Sequence, residues 1–120
     1  ATDCLGLGPP RLWSRLVSGI PGLAISRGLG DTLAQTCGLV PEAELLVAPL
    51  REGDLVLVVA SDGVFDVLED ADVLRRCLGF RRTKDAAGAS LAVIEAAGRA
   101  WARQSGGSFS DDASCIVFFL

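Results

Sequence analysis

Apolar residues gather along this chain in two kinds of run. Residues 55–60 (LVLVVA) and 114–120 (SCIVFFL) are apolar almost without interruption, as in a strand covered on both faces rather than one alternating toward water. The first is expected at the centre of a sheet, and the second follows the turn GGSFSDD. Two weaker strands are predicted. One covers 23–26 within PGLAISRGLGD, where glycines break the run; the other covers 44–50 (ELLVAPL), which Pro49 should end. The polar turn Arg51-Glu52-Gly53-Asp54 then joins 44–50 to 55–60 as a hairpin.

Helical spacing appears twice. Over 69–78, Glu69, Asp70 and Asp72 come first, Arg75 and Arg76 last, with Gly79 beyond, the order that a helix dipole and a glycine cap favour. Over 83–104, Ala87, Leu91, Ile94, Gly98 and Trp101 recur at spacings of four, three, four and three, while Glu95, Arg99 and Arg103 take the other face. Residues 1–20 read as an irregular lead-in with a short helical turn over 11–17, and 21–120 as the structured remainder. Strand, hairpin, helices and strand in that order predict an α+β fold.

At 120 residues, half of them hydrophobic, the chain can bury one modest core, so one domain or part of one is expected. It starts at Ala1 and contains no Met, which reads as a processed product or a piece of something longer. A net charge of −4 with mixed signs argues against a nucleic-acid partner. The apolar runs are too short to cross a bilayer, and the N-terminal ATDCLGLGPP lacks the basic-then-apolar order of a signal peptide. The expectation is no membrane and a place in the cytoplasm or nucleus. Four dispersed cysteines and no histidine exclude the usual structural zinc sites and the Ser-His and Cys-His nucleophile systems. Cys77 and Cys115 read as small buried residues with free thiols, a disulfide between them remaining open.

Chemistry then falls to the carboxylates around SDGVFD (61–66). Asp62 follows one apolar strand and Asp111 precedes the other, so they converge on one rim if the strands run antiparallel and part if parallel. With Asp66 and Asp112 nearby, such carboxylates repel unless a cation relieves them, and oxygen donors alone favour Mg²⁺ or Mn²⁺. The plainer reading stands beside it: Asp-Gly as a turn, Asp66 as a cap or solvated, Asp111-Asp112 as a polar turn. Arg81, Arg82 and Lys84 read as a solvated loop, Arg27 as an ion pair with Asp31, and Trp13 and Trp101 as packing anchors.

Several stretches, in order, resemble the C-terminal part of the 2C-type (PPM family) metal-dependent serine/threonine protein phosphatases. PGLAISRGLGD (21–31) resembles the family's PGLA-x-SR-x-x-GD segment, and PRLWSRL (10–16) the Arg-x-Trp stretch before it. PEAEL (41–45) is similar to its PE-containing segment. LVLVVASDGVFDVLEDADV (55–73) is similar to its strand, SDG-x-W-D-x-L and helix, and SDDASCIVFFL (110–120) to its closing strand. The resemblance implies two stacked antiparallel sheets flanked by helices, with the N-terminal half of the domain not in this chain. It also implies direct attack of water on phosphoserine or phosphothreonine of a phosphoprotein substrate, assisted by two Mg²⁺ or Mn²⁺ ions. By motif position Asp62 and Asp111 would be metal ligands, Asp66 would lie near a weaker accessory cation, Asp112 would stand behind them, and Arg27 and Asp31 would be structural.

Two departures qualify the likeness. Phe65 replaces the frequent Trp, a mild change if the ring fills the same apolar slot. The family's DGHGG segment and its phosphate-binding Arg are absent, and two carboxylates alone hold Mg²⁺ poorly. The chain by itself is therefore expected to be inactive. A non-catalytic phosphatase-like regulatory or binding module and a metal-free structural α+β domain are the alternatives.

Overall fold

The computed structural model describes residues 11–13 and 21–120. The lead-in over 1–20, with Cys4, lies outside the described residues except at 11–13. Of the helical turn expected over 11–17, residues 14–17 lie outside the described residues, and Leu12–Trp13 is a strand. The chain falls into two compact units, Ala1–Ala48 and Pro49–Leu120.

In the first unit, strand β1 (Leu12–Trp13) pairs antiparallel with β2 (Pro21–Leu23). Gly22 has φ +68°, and a Cβ there would lie 2.8 Å from the Trp13 ring, so only glycine lets backbone and indole meet. The strand predicted over 23–26 thus lies earlier, at Pro21–Leu23. Helix α1 (Thr32–Thr36) is capped by Asp31, whose Oδ1 accepts from the Ala34 N–H at 2.9 Å. Asp31 is spent as a cap, which corrects the expected pair with Arg27. Arg27 reaches Glu44 instead, Nη2 to Oε1 at 2.7 Å, and donates to the Glu42 carbonyl at 2.9 Å.

No strand forms over 44–50. Leu45 and Leu46 are each 90% exposed, because an apolar run becomes a strand only when another backbone takes its hydrogen bonds. Pro49 also removes one donor. The turn at 51–54 is present, with the Arg51 N–H donating to Asp54 Oδ2 at 2.8 Å, but it joins no hairpin.

The second unit carries the core. Strand β3 (Val56–Ala60) pairs antiparallel with β4 (Cys115–Phe119), and the register runs from Val56↔Phe119 to Ala60↔Cys115. The inward residues of this pair pack against α2 (Asp62–Phe65), α3 (Asp70–Gly79) and α4 (Ala86–Ser105). Both strands alternate in burial. Leu57, Val59, Ile116 and Phe118 on the other face are 52% to 70% exposed, which corrects the expectation of strands covered on both sides. Helices cover one face, and nothing among the described residues of this unit covers the other.

Helix α3 starts with Asp70 and Asp72, as the charge order predicted, and buries Val73 and Cys77 one turn apart. Its C-cap is Phe80, so Gly79 is its last residue rather than the one beyond. Helix α4 begins at Asp85, whose Oδ1 accepts from the Gly88 N–H at 2.8 Å, and ends at Gly106 in the left-handed conformation, φ +63°. Its buried residues are Ala89, Val93, Ala96, Ala97 and Ala100, not the predicted Ala87, Leu91, Ile94, Gly98 and Trp101. The alanines let α4 approach the sheet and α3 closely, and that close contact selects the face over the larger side chains. The described cysteines Cys37, Cys77 and Cys115 are free thiols. Burial pushes the Cys77 and Cys115 thiols above their ordinary value of 9.0; nearby Cys115 adds to the rise at Cys77, while Ser90 pulls Cys115 back.

Candidate functional site

The antiparallel pairing decides where the acids go. Beyond the last ladder pair, Ala60↔Cys115, the Ser61 N–H donates to the Ser114 carbonyl at 3.0 Å and adds one more rung. The Ser61 hydroxyl accepts from the Ser114 N–H at 3.0 Å and donates to the Asp112 carbonyl at 3.3 Å. One hydroxyl thus pins the exit of β3 to the approach of β4. The Asp62 turn and the Asp111-Asp112 segment meet at the same rim of the sheet.

Close contact between the two segments depends on Gly63. A Cβ at this position would overlap the Asp112 carbonyl oxygen and lie 2.9 Å from its carbon and 3.2 Å from Ala113 Cα. Glycine is required here by proximity rather than by backbone angle.

Each carboxylate is partly committed to its own turn. Asp62 Oδ1 accepts from the Gly63 N–H at 3.0 Å, and Asp111 Oδ1 accepts from the Asp112 N–H at 2.8 Å. These bonds orient the carboxylates, and the second oxygen of each takes no hydrogen bond from the described residues. An all-oxygen donor set suits Mg²⁺ or Mn²⁺ in kind. In number it is incomplete: among the described residues no group of three or more His, Cys, Asp or Glu side chains could hold a metal ion.

Asp66 is the C-cap residue of α2, with its N–H on the Asp62 carbonyl at 2.8 Å. It lines an open hollow of about 560 Å³ together with Phe65, Glu69, Asp70 and Gln104. Phe65 is 43% exposed, so its ring is not buried in an apolar slot as expected; the single turn of α2 buries Gly63 and Val64 instead.

Two contributors were not singled out for the site in the sequence. Ser61 looks like an ordinary strand-end serine, and only the register reveals its bond across to Asp112. Trp101, expected as a packing anchor, donates its indole N–H to the Gly63 carbonyl at 2.8 Å. An indole N–H taken partly out of water usually finds an acceptor, but its spacing does not say which. A buried carbonyl left without a donor costs about 1–3 kcal/mol.

The family model for protein phosphatase 2C matches residues 12–104. A probable protein phosphatase 2C from Oryza sativa subsp. japonica, number 12, is 37% identical over 100 residues, covering 83% of this chain and 25% of that protein. Number 61 of Arabidopsis thaliana is 34% identical over 100 residues, covering 83% of this chain and 30% of that one. The crystal structure of a serine-threonine phosphatase 2C from Toxoplasma gondii shares the fold, with a TM-score of 0.64 at 24% identity over 82% of this chain and 30% of that one. The chain spans about a quarter of the length of the curated relatives it matches. With α+β architecture, antiparallel strands and these matches together, the chain belongs to the protein phosphatase 2C family.

Proposed function

We propose that the chain is the C-terminal portion of a Mg²⁺- or Mn²⁺-dependent catalytic domain that hydrolyses phosphoserine and phosphothreonine in proteins, and that it is inactive on its own. The observation carrying this reading is the meeting of the Asp62 turn and the Asp111-Asp112 segment at one rim in a protein of this family. Asp62 and Asp111 would each present an uncommitted carboxylate oxygen to the cations, with Asp112 behind them and Asp66 near a weaker accessory ion. When bound, the cations neutralise charge on the phosphoryl oxygens and lower the pKa of water. The chain's own contribution is orientation: the N–H groups of Gly63 and Asp112 aim the carboxylates, and Ser61 keeps their two turns in step.

Two carboxylates leave most of the octahedral shell of Mg²⁺ to water, phosphate oxygens and groups elsewhere in the domain. Phosphoproteins are the substrates on this reading; nucleic acid and membranes are not partners, and the protein works in the cytoplasm or nucleus. Among the described residues no helix is long and apolar enough to cross a membrane. The incomplete donor set also favours a second reading, a phosphatase-like regulatory or binding module. Hydrolysis of a phosphopeptide with Mn²⁺ by the complete domain separates the two. The enzyme reading expects Asp62→Ala and Asp111→Ala each to lower turnover by about a hundredfold, and the isolated chain to release no phosphate. Undiminished hydrolysis in both variants refutes the assigned roles, and an inert complete domain favours the module.

A further inference from the structure

The Asp62 turn is held by a residue 38 positions away in sequence. Helix α2 lasts a single turn, and the Val67 N–H, which would reach the Gly63 carbonyl in a longer helix, donates to Val64 instead at 3.3 Å. Gly63 is buried, so its carbonyl needs a donor from another element. Trp101 on α4 supplies one through Nε1–H at 2.8 Å. The same indole meets Phe109 edge-on, with ring centroids 5.4 Å apart and planes at 80°. Phe109 stands two residues before Asp111. One turn farther along α4, the Ser105 hydroxyl lies 2.8 Å from the Trp101 carbonyl and 2.7 Å from that of Phe109, to which it donates, and accepts from the Phe109 N–H at 3.2 Å.

We propose that Trp101 is a positioning residue for the carboxylate pair. It ties the Asp62 turn and the segment leading to Asp111 to the end of one helix, and so sets the spacing at which the two side chains face a divalent cation. The β3–β4 ladder cannot do this alone, because both acids lie beyond its last rung at Ser61 and Ser114. Trp is the residue the arrangement needs: the ring packs against Phe109 while the N–H serves Gly63, and Phe could do only the first. The inference rests on the metal-binding reading above.

The test measures Mn²⁺ affinity by calorimetry in the complete catalytic domain, for the parent, Trp101→Phe, Asp62→Ala and Val93→Ala. Trp101→Phe keeps the ring and removes the donor, and is expected to weaken Mn²⁺ binding about tenfold, as the loss of a partner behind a ligand does. Val93→Ala loosens the same core about two turns before Trp101, leaves the indole donor in place, and should bind Mn²⁺ as the parent does. Parental affinity in Trp101→Phe, or equal weakening in Trp101→Phe and Val93→Ala, overturns the positioning role while Asp62→Ala still loses the ion. Should Asp62→Ala bind Mn²⁺ like the parent, the metal reading fails, and this inference with it.

Discussion

Gly63 shows how little a side chain need do to matter. Its absent Cβ leaves room for the Asp112 carbonyl oxygen and for Ala113 Cα at 3.2 Å. Because the opposing atoms are backbone, no rotamer can yield to an added methyl, and the segments themselves would have to part. Gly63→Ala is therefore expected to destabilise the protein by about 1–3 kcal/mol, read as a lower urea midpoint at unchanged slope. An unchanged midpoint would show that the rim yields freely. Some of this scale was legible from local chemistry: Asp-Gly after a strand announced a turn, and the acids at 69–72 announced the start of a helix. The partners of Arg27 were not. Asp31 is the nearer acid in sequence, but its own cap to Ala34 claims it, and the guanidinium reaches Glu44.

Helix α4 separates what periodicity reveals from what packing decides. Its existence followed from the apolar spacing over 83–104, while its ends, at Asp85 and Gly106, come from the structure. Its buried face did not, because apolar residues lie on two sides of it and hydrophobicity favours the wrong one: Leu91 is 59% exposed, while Ala89, Ala96 and Ala97 are at most 2% exposed. Small residues win where two backbones must come close, and that is a property of the neighbouring α3 and β4 rather than of α4. Paired substitutions check the assignment. Val93→Ala, at a fully buried position, is expected to cost about 2 kcal/mol through lost burial and the cavity left behind. Leu91→Lys should stay within about 0.5 kcal/mol in the isolated chain. The reverse ranking in denaturant unfolding would return the predicted face to the core. The strand expected over 44–50 failed for a related reason, since a partner backbone, not apolar content, makes a strand.

For the whole molecule, the continuous apolar runs of β3 and β4 contained a message that the structure only half expresses. Such runs signal strands covered on both faces, yet the helices cover one, and Leu57, Val59, Ile116 and Phe118 form a sheet face 52% to 70% exposed. The same division applies to the site: the sequence placed Asp62 and Asp111 at strand ends, the antiparallel register brought those ends together, and among the described residues no group of three or more His, Cys, Asp or Glu side chains could hold a metal ion. A chain that spans a quarter of its relatives' length leaves both the sheet and the site one-sided. Each of the four outer side chains forgoes on the order of 1 to 2 kcal/mol of burial, and both outer edges of the two-stranded pair offer free backbone groups to another chain. The isolated chain should therefore self-associate, with the weight-average mass in sedimentation equilibrium rising with concentration. Val59→Thr with Phe118→Thr keeps strand propensity while making the face polar, and should lower the association constant by about tenfold or more, the equivalent of one side chain's burial. A chain that stays monomeric at every concentration, or associates equally after the double substitution, would mean that this face is not what drives chains together. In the complete domain, a second layer over the same face, as a two-sheet sandwich requires, would turn that double substitution from a solubility gain into a loss of stability.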